Sequence, residues 1–177
     1  MKKYLSVIPL VLLLCFVVGC QDKASMAELE EFKAQAALEK QNQEFVTHYF
    51  EELNKKNIEI VNEVCDPDYL YYSPSINPNP ISRDEVMGFV KMVFQAFPDI
   101  NYKIEKVYYS GNTIIIWNSV TGTHLGEFEG IPASGNKIHL SSILIWTLKN
   151  GKIVEEREEY DSLGLMMQLG MELKPKE

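Results

Sequence analysis

Residues 101–170 read NYKIEKVYYSGNTIIIWNSVTGTHLGEFEGIPASGNKIHLSSILIWTLKNGKIVEEREEYDSLGLMMQLG, and this stretch decides the fold. Turn signals at Ser110-Gly111-Asn112, at residues 126–136 and at Asn150-Gly151 divide it into four strand-length segments. An Asn-Gly pair between apolar runs is a strong signal for a β-hairpin. The stretch therefore predicts a four-stranded antiparallel meander that ends at Asp161, just before a short helix.

The two central strands of this meander have apolar residues at both parities in places. Residues 114–117 read IIIW and residues 143–146 read ILIW. Such strands are covered on both faces. Helices can cover one face, and the other needs a partner subunit or a sheet that curves around its own pocket. Because long flat sheets are unusual, the pattern favours a curved sheet with an interior cavity.

Two helices upstream of the meander are predicted to cover the sheet. The first has an apolar stripe that runs from Phe45 through Tyr49 to Leu53 at steps of three and four residues. The second begins at a capping box, Ser82-Arg83-Asp84-Glu85. The predicted fold class is therefore α+β, with a cone-shaped curved antiparallel sheet covered by N-terminal helices.

The segment between these helices contains a short strand and a run of prolines. Residues 69–72 read YLYY and predict an aromatic strand. Residues 73–81 contain three prolines, which predict a stiff loop without regular structure.

The N-terminus has the layout of an export signal. Residues 1–19 combine two lysines with an apolar run that is shorter than a membrane span needs. The tetrapeptide Val17-Val18-Gly19-Cys20 resembles a bacterial lipobox, in which the signal is cut before the cysteine and the thiol is lipidated. The alternatives are a plain signal peptide and a retained anchor. Residues 20–43 are then a lipid anchor with a helical spacer, and residues 44–177 form the globular domain.

This reading places the protein in a bacterial cell envelope, with the lipid on Cys20 as its contact with the membrane. The membrane would be the outer one in a Gram-negative organism and otherwise the outer face of the cell membrane. Loss of Lys2 and Lys3 with the signal takes the formal net charge from −8 to −10. Such an acidic chain is repelled by phosphate backbones, so nucleic acid is excluded as a partner.

The ordered motifs of residues 45–170 resemble those of the SnoaL-like polyketide cyclases, or ester cyclases, of the nuclear transport factor 2-like superfamily. They are Phe97-Pro98-Asp99, residues 122–132 (GTHLGEFEGIP) with Gly135 and Lys137, residues 151–156 (GKIVEE), and Asp161 with residues 163–170 (LGLMMQLG). The resemblance implies the same cone-shaped fold, also called cystatin-like, and a homodimer. Its pocket would hold a small hydrophobic or carbonyl-containing ligand.

For the true cyclases the resemblance also implies an intramolecular aldol condensation that needs no cofactor and no metal. One carboxylate can remove a proton from a methylene between two carbonyls and return it to the new alkoxide. By resemblance this acid/base is Asp161. From the residues alone, Asp161 is equally well explained as the N-cap of the helix that follows it.

The residues predicted to line the pocket are His124, Arg157, Asn118, Trp117, Trp146 and Tyr49. The alternatives are an exposed strand-end position for His124 and simple core packing for the two tryptophans. Arg157 and Asn118 stand where relatives often carry aromatic residues, which implies a more polar pocket. Arg157 shares strand parity with Asp161 and would lower the pKa of its carboxylate if both faced the same space.

The glutamates of residues 155–159 are interpreted as a solvated strand edge.

Two functions follow from the sequence. The chain is either a cofactor-independent cyclase or an exported module that binds a small hydrophobic or amphiphilic ligand.

Overall fold

The computed structural model describes residues 7–74, 76–172 and 174, with side chains at Lys23 and from Ser25 onward. Residues 1–6 of the predicted signal peptide and the side chain of the predicted lipidation site, Cys20, lie outside the described residues. The chain divides into two compact units, Met1–Gln41 and Asn42–Glu177.

Four helices and six strands make up the described chain. In order they are α1 (Val7–Asn54), α2 (Ile60–Val64), β1 (Cys65–Ser73), β2 (Asn77–Ser82), α3 (Arg83–Ala96), β3 (Asn101–Ser110), β4 (Thr113–Thr123), β5 (Lys137–Lys149), β6 (Lys152–Tyr160) and α4 (Ser162–Gln168). Among the residues whose side chains the structure describes, no helical stretch is long and apolar enough to cross a membrane.

One curved sheet contains all six strands in the order β2-β1-β6-β5-β4-β3. Strands β3 to β6 form the predicted antiparallel meander. The β5–β6 turn places Asn150 and Gly151 at φ values of 53° and 75°, which is the left-handed backbone that Asn-Gly hairpin turns require. The α+β fold class and the meander are therefore confirmed.

The pairing of β1 extends the sheet beyond the meander. Strand β1 lies parallel to β6, and the short strand β2 pairs antiparallel with the other side of β1. The prediction that residues 73–81 lack regular structure is wrong, because β2 is an edge strand. Pro78 and Pro80 have the same strand parity, so both can turn their missing N–H groups away from β1.

Helix α3 begins as the capping box predicts. The Ser82 hydroxyl accepts a hydrogen bond from the backbone N–H of Glu85 at 3.4 Å, and the Glu85 carboxylate accepts one from the backbone N–H of Ser82 at 2.7 Å. The helix then buries Val86, Val93 and Ala96. This cap fixes where the helix starts and therefore which of its faces meets the sheet.

Strand parity separates the two faces of the sheet. Ile114, Ile116 and Trp146 are fully buried on the inner face, where Trp146 packs edge-on against Tyr49 with ring centroids 5.0 Å apart. Their neighbours on the strands face outward, and Trp117 is 48% exposed. Only the inner face is thus covered within the described domain. The outer face of β4 and β5 exposes Trp117, Ile143 and Ile145, so this chain alone does not meet the expectation that both faces of these strands are covered.

Candidate functional site

A cavity of about 240 Å³ lies in the domain formed by residues 42–177, between the inner face of the sheet and the helices. Helix α1 contributes Tyr49, Phe50 and Leu53, and α3 contributes four apolar side chains. Its strand-borne walls are Tyr71, Ser73, Asn77, Asn79, Ile81, Tyr102, Asn118, Leu144, Glu156, Glu158 and Tyr160, with Ile76 and Glu129 from loops.

Two carboxylates of β6 reach this cavity. Glu156, Glu158 and Tyr160 alternate along the strand and line the cavity, whereas Arg157 and Glu159 between them are exposed. Glu156 is only 5% exposed. The interpretation of this acidic run as a solvated edge is therefore wrong. Because β1 pairs with β6, this strand lies inside the sheet and buries one face of its acidic run.

Each of these carboxylates accepts a hydrogen bond from a tyrosine of β1. The Tyr69 hydroxyl donates to Oε2 of Glu156 at 2.6 Å, and the Tyr71 hydroxyl donates to Oε2 of Glu158 at 2.8 Å. The parallel register, in which Leu70 lies opposite Glu155 and Tyr71 opposite Glu156, brings the two pairs together. Phenol donors hold the carboxylates in place without neutralising them.

Burial changes the acid–base behaviour of the pair. It raises the pKa of Glu156 to about 7, with a further contribution from the charge on Glu158 and an opposing one from the Tyr69 hydroxyl. The Trp146 indole also opposes the rise in pKa, although its N–H makes no hydrogen bond of normal geometry. Burial likewise raises the pKa of Glu158, and the Tyr71 and Ser142 hydroxyls oppose this rise. A carboxyl with a pKa near 7 can act as an acid or as a base at neutral pH.

Asp161, the predicted acid/base, does not line the cavity. Its exposed carboxylate accepts a hydrogen bond from the backbone N–H of Gly164 at 2.7 Å and caps α4. A side chain at position 164 would collide with the Asp161 carboxylate, so the glycine makes room for the cap. The N-cap interpretation is confirmed. A role for Asp161 in catalysis stays a prediction.

Arg157 also lies away from the cavity, contrary to prediction. Its guanidinium lies over the ring of Tyr72, 4.4 Å from the centroid, and its Nε donates to Glu155 at 2.8 Å. Because odd-numbered positions of this part of β6 face outward, the polarity of the cavity comes from Glu156 and Glu158 rather than from Arg157.

Neither tryptophan lines the cavity as predicted. Trp117 is on the outer face, where its indole N–H donates to the Ser141 hydroxyl at 2.7 Å. Trp146 is fully buried in the core among the rings of Phe45, Tyr49 and Phe50. Large aromatic residues on a buried sheet commonly serve packing in this way.

His124 is buried beneath the 126–136 loop and is not a cavity residue. Its Nδ1 accepts a hydrogen bond from the backbone N–H of Ser134 at 3.2 Å, and its ring stacks on Phe97 with centroids 5.3 Å apart. These contacts tie the loop to the end of β4. The histidine therefore has a structural position in the described fold.

The other two predicted pocket residues, Asn118 and Tyr49, do line the cavity. Asn118 is buried and accepts a hydrogen bond from the Ser142 hydroxyl at 2.6 Å. Burial raises the pKa of Tyr49 well above its ordinary value, so its phenol stays protonated. Sequence reasoning missed Glu156, Glu158 and their tyrosine partners. The available signal was the shared parity of the two glutamates with Tyr160.

The described residues contain no group of three or more His, Cys, Asp or Glu side chains that could hold a metal ion. The carboxyls of Glu156 and Glu158 on the cavity wall can exchange protons with a ligand.

The curved six-stranded sheet with helices over one face belongs to the α+β fold class of the solved SnoaL-like proteins. Residues 43–169 match the family model of the SnoaL-like polyketide cyclases, and the chain belongs to this family. Comparison with curated proteins gave no match.

Solved structures with the same fold include a protein from Jannaschia sp. CCS1 assigned as a SnoaL-like polyketide cyclase. It is 24% identical, with a TM-score of 0.68, and the match covers 76% of this chain and 94% of that one. IdmH from Streptomyces antibioticus, assigned as a polyketide cyclase, is 22% identical with a TM-score of 0.64 over 73% of this chain and 98% of its own.

AclR from Streptomyces galilaeus, assigned as a hydroxylase, is 21% identical with a TM-score of 0.67. The match covers 73% of this chain and 96% of AclR. Proteins assigned to different reactions thus share this fold. The fold alone does not fix the chemistry, which must be argued from the cavity.

The raised pKa of Glu156 predicts a specific pH dependence of stability. Its folded-state pKa is about 7 and its ordinary value is 4.5, so the folded state holds this proton more tightly. Stability should fall as the pH rises from about 5 to about 8, by on the order of 3 kcal/mol from this group. Glu156→Gln keeps the hydrogen-bond acceptor for Tyr69 and should remove this part of the slope.

Chemical denaturation at a series of pH values measures this effect. The matched control is Glu127→Gln, which changes an exposed carboxyl outside the cavity lining and should keep the slope of the unchanged chain. An identical pH dependence in Glu156→Gln and the unchanged chain would show that Glu156 titrates normally.

Proposed function

We propose that the cavity catalyses a cofactor-independent, cyclase-type condensation of a small carbonyl compound, with Glu158 as base and Glu156 as acid. The observation that carries this proposal is the pair of tyrosine-bound carboxyls on the cavity wall, one with a pKa of about 7. The charge on Glu158 raises the pKa of Glu156, so ionisation of Glu158 favours the protonated form of Glu156. Membership of the SnoaL-like polyketide cyclases supports the reaction class.

The proposed step is a closed sequence of proton transfers. Ionised Glu158 removes a proton from a carbon beside a carbonyl, and that carbon attacks a second carbonyl of the same molecule. A carbon–carbon bond forms, the attacked C=O π bond opens, and the resulting alkoxide takes the proton of Glu156. Transfer of a proton from Glu158 to Glu156 then restores the pair. No metal or nucleotide is required.

A small diketone tests the proposal, because the natural substrate is not needed to detect the step. Heptane-2,6-dione closes by the same reaction to a six-membered hydroxyketone, which NMR detects. The full chain in a non-ionic detergent should accelerate this closure, and Glu158→Gln should lower the rate roughly 100-fold or more. Asp161→Asn should react like the unchanged chain, since asparagine is also a good N-cap.

The same pair of variants separates the two candidate bases. Loss of turnover in Asp161→Asn with retention in Glu158→Gln would favour the residue implied by the family resemblance. Failure of the unchanged chain to turn over any member of a panel of small diketones and keto esters would contradict the catalytic proposal.

A binding module is the second candidate function. It is favoured by the phenol hydrogen bonds, which stabilise the ionised carboxylates and weaken them as bases. It is also supported by the position of Asp161 outside the cavity. In this case the cavity would hold a small hydrophobic or amphiphilic ligand without changing it.

We also propose export and lipidation at Cys20, supported by the signal-like residues 1–19 and the lipobox-like tetrapeptide that ends at this cysteine. Expression in a bacterium fed a labelled fatty acid should give a labelled protein in the membrane fraction. Cys20→Ser should remove the label and leave the protein uncleaved. The control is Cys65→Ser, which changes a buried cysteine of the globular domain. Equal labelling of Cys20→Ser and the unchanged chain would contradict lipidation at this residue.

We further propose that the outer face of the sheet forms a homodimer. Ile115 lies opposite Ile145, and Trp117 lies opposite Ile143, so four large apolar side chains are contiguous on β4 and β5. Arg157 and Glu159 of β6 flank this patch with opposite charges. A two-fold axis through the patch would bury it against its own copy, in line with the dimer that the resemblance implies.

Light scattering after size-exclusion chromatography tests the dimer with the full chain in one detergent. Ile143→Glu places a charge in the patch and should shift the mass to that of a monomer. The control is Leu125→Glu, which changes a 58% exposed residue outside the patch and should remain dimeric. A monomeric mass for the unchanged chain would contradict the proposal.

A further inference from the structure

The charge of the cavity is one-sided. Glu156 and Glu158 line its strand wall, and Glu129 lies on a loop that also contributes to the lining. The described residues that line the cavity include no lysine, arginine or histidine. Buried carboxylates are normally paired with a cation, because an uncompensated buried charge is unfavourable. The tyrosine hydroxyls give these carboxylates hydrogen bonds but no positive charge.

The remaining surface of the cavity suits a cation with an apolar body. Six aromatic residues contribute to the lining: Tyr49, Phe50, Tyr71, Phe89, Tyr102 and Tyr160. Aromatic rings attract cations through their quadrupoles and pack against apolar groups. The phenols of Tyr49, Tyr71 and Tyr102 have raised pKa values, chiefly because of burial, so they stay neutral.

An independent observation at the same wall is an unsatisfied hydroxyl. Ser73 lines the cavity and is only 4% exposed, and its Oγ makes no hydrogen bond of normal geometry. This hydroxyl is close enough to Tyr71 to oppose the rise in the pKa of that phenol. A buried hydroxyl without a partner is costly, and its lone pairs can accept hydrogen bonds from a ligand N–H group.

We infer that the cavity binds a ligand that carries a protonated amine, with the ammonium group at Glu156 and Glu158 and its apolar body against the aromatic wall. The inference names the ligand class for the second candidate function, in which the cavity binds a ligand without changing it, and rests on that cavity being the site. An ammonium group offers N–H donors to both carboxylates and to Ser73, and it supplies the positive charge that this wall lacks.

Other ligand classes fit the same wall less well. An anion would meet two carboxylates without a compensating cation, and like charges repel strongly in a poorly solvated site. A neutral alcohol can donate one hydrogen bond but adds no charge. A bound metal ion is not supported, because the described residues form no group of three metal-ligating side chains.

Three ligands of the same shape and different charge test the inference by isothermal titration calorimetry. They are 2-phenylethylamine, 2-phenylethanol and phenylacetate, each added at pH 7.5 to the full chain in one non-ionic detergent. The amine should bind roughly tenfold or more tightly than the alcohol, since hydrogen bonds between charged groups are about twice as strong as neutral ones. Phenylacetate should bind more weakly than the alcohol.

Variants of the acidic wall show where the preference arises. Glu156→Gln and Glu158→Gln should each reduce the ratio of amine to alcohol affinity, and the double variant should bring it near one. The control Glu127→Gln changes an exposed carboxyl outside the cavity lining and should keep the ratio. Thermal unfolding of each variant checks that it is folded.

Ser73→Ala gives a second test that leaves both carboxylates intact. This variant should lower the affinity for the amine more than the affinity for the alcohol.

The result that overturns the inference is an amine that binds no more tightly than the alcohol, or not at all. A preference that survives in the folded double variant would overturn it as well, since the amine would then bind elsewhere. Binding and turnover are read separately. An amine preference without turnover of any carbonyl compound would refute the proposed catalysis and keep the ligand class. Turnover of a carbonyl compound without an amine preference would refute the amine as the ligand class and keep the proposed catalysis.

Discussion

The parallel pairing of β1 with β6 is the contact on which the site depends. It places β6 inside the sheet, so that one face of its acidic run is buried instead of solvated. It also sets Tyr69 and Tyr71 beside Glu156 and Glu158, where their hydroxyls satisfy the buried carboxylates. A buried carboxylate without such donors would destabilise the fold, and the strand would then favour apolar residues at these positions.

The fold was largely predictable because its signals are local. Asn150-Gly151 defines one hairpin, Ser82 and Glu85 define the start of a helix, and apolar runs define the central strands. The site was less predictable because it depends on a contact between residues 87 positions apart in the sequence. Nothing in the sequence near Glu156 shows that a distant strand pairs with β6. The proline-rich strand β2 was missed for a similar reason, since only its position at the sheet edge makes its prolines acceptable.

The family resemblance and the cavity point to different carboxylates. The resemblance points to Asp161, whose carboxylate caps α4 by accepting a hydrogen bond from the Gly164 N–H. A side chain at position 164 would collide with this carboxylate. The cavity walls instead carry Glu156 and Glu158. The contact between Asp161 and Gly164 ends β6 and starts α4. This structural role accounts for Asp161 whether or not its carboxylate also takes part in chemistry.

Strand parity assigns opposite roles to the two faces of β6. Even-numbered positions 156, 158 and 160 supply an acidic cavity wall, and odd-numbered positions 157 and 159 flank an apolar patch on the outside. A shift of one residue in the register of β6 would expose both glutamates and bury Arg157. The register of β6 changes between Cys65 and Leu70 in its pairing with β1 and between Thr147 and Leu148 in its pairing with β5, and the residues beyond these shifts face the cavity at even-numbered positions. The charge of the cavity is thus decided by backbone pairing as much as by composition.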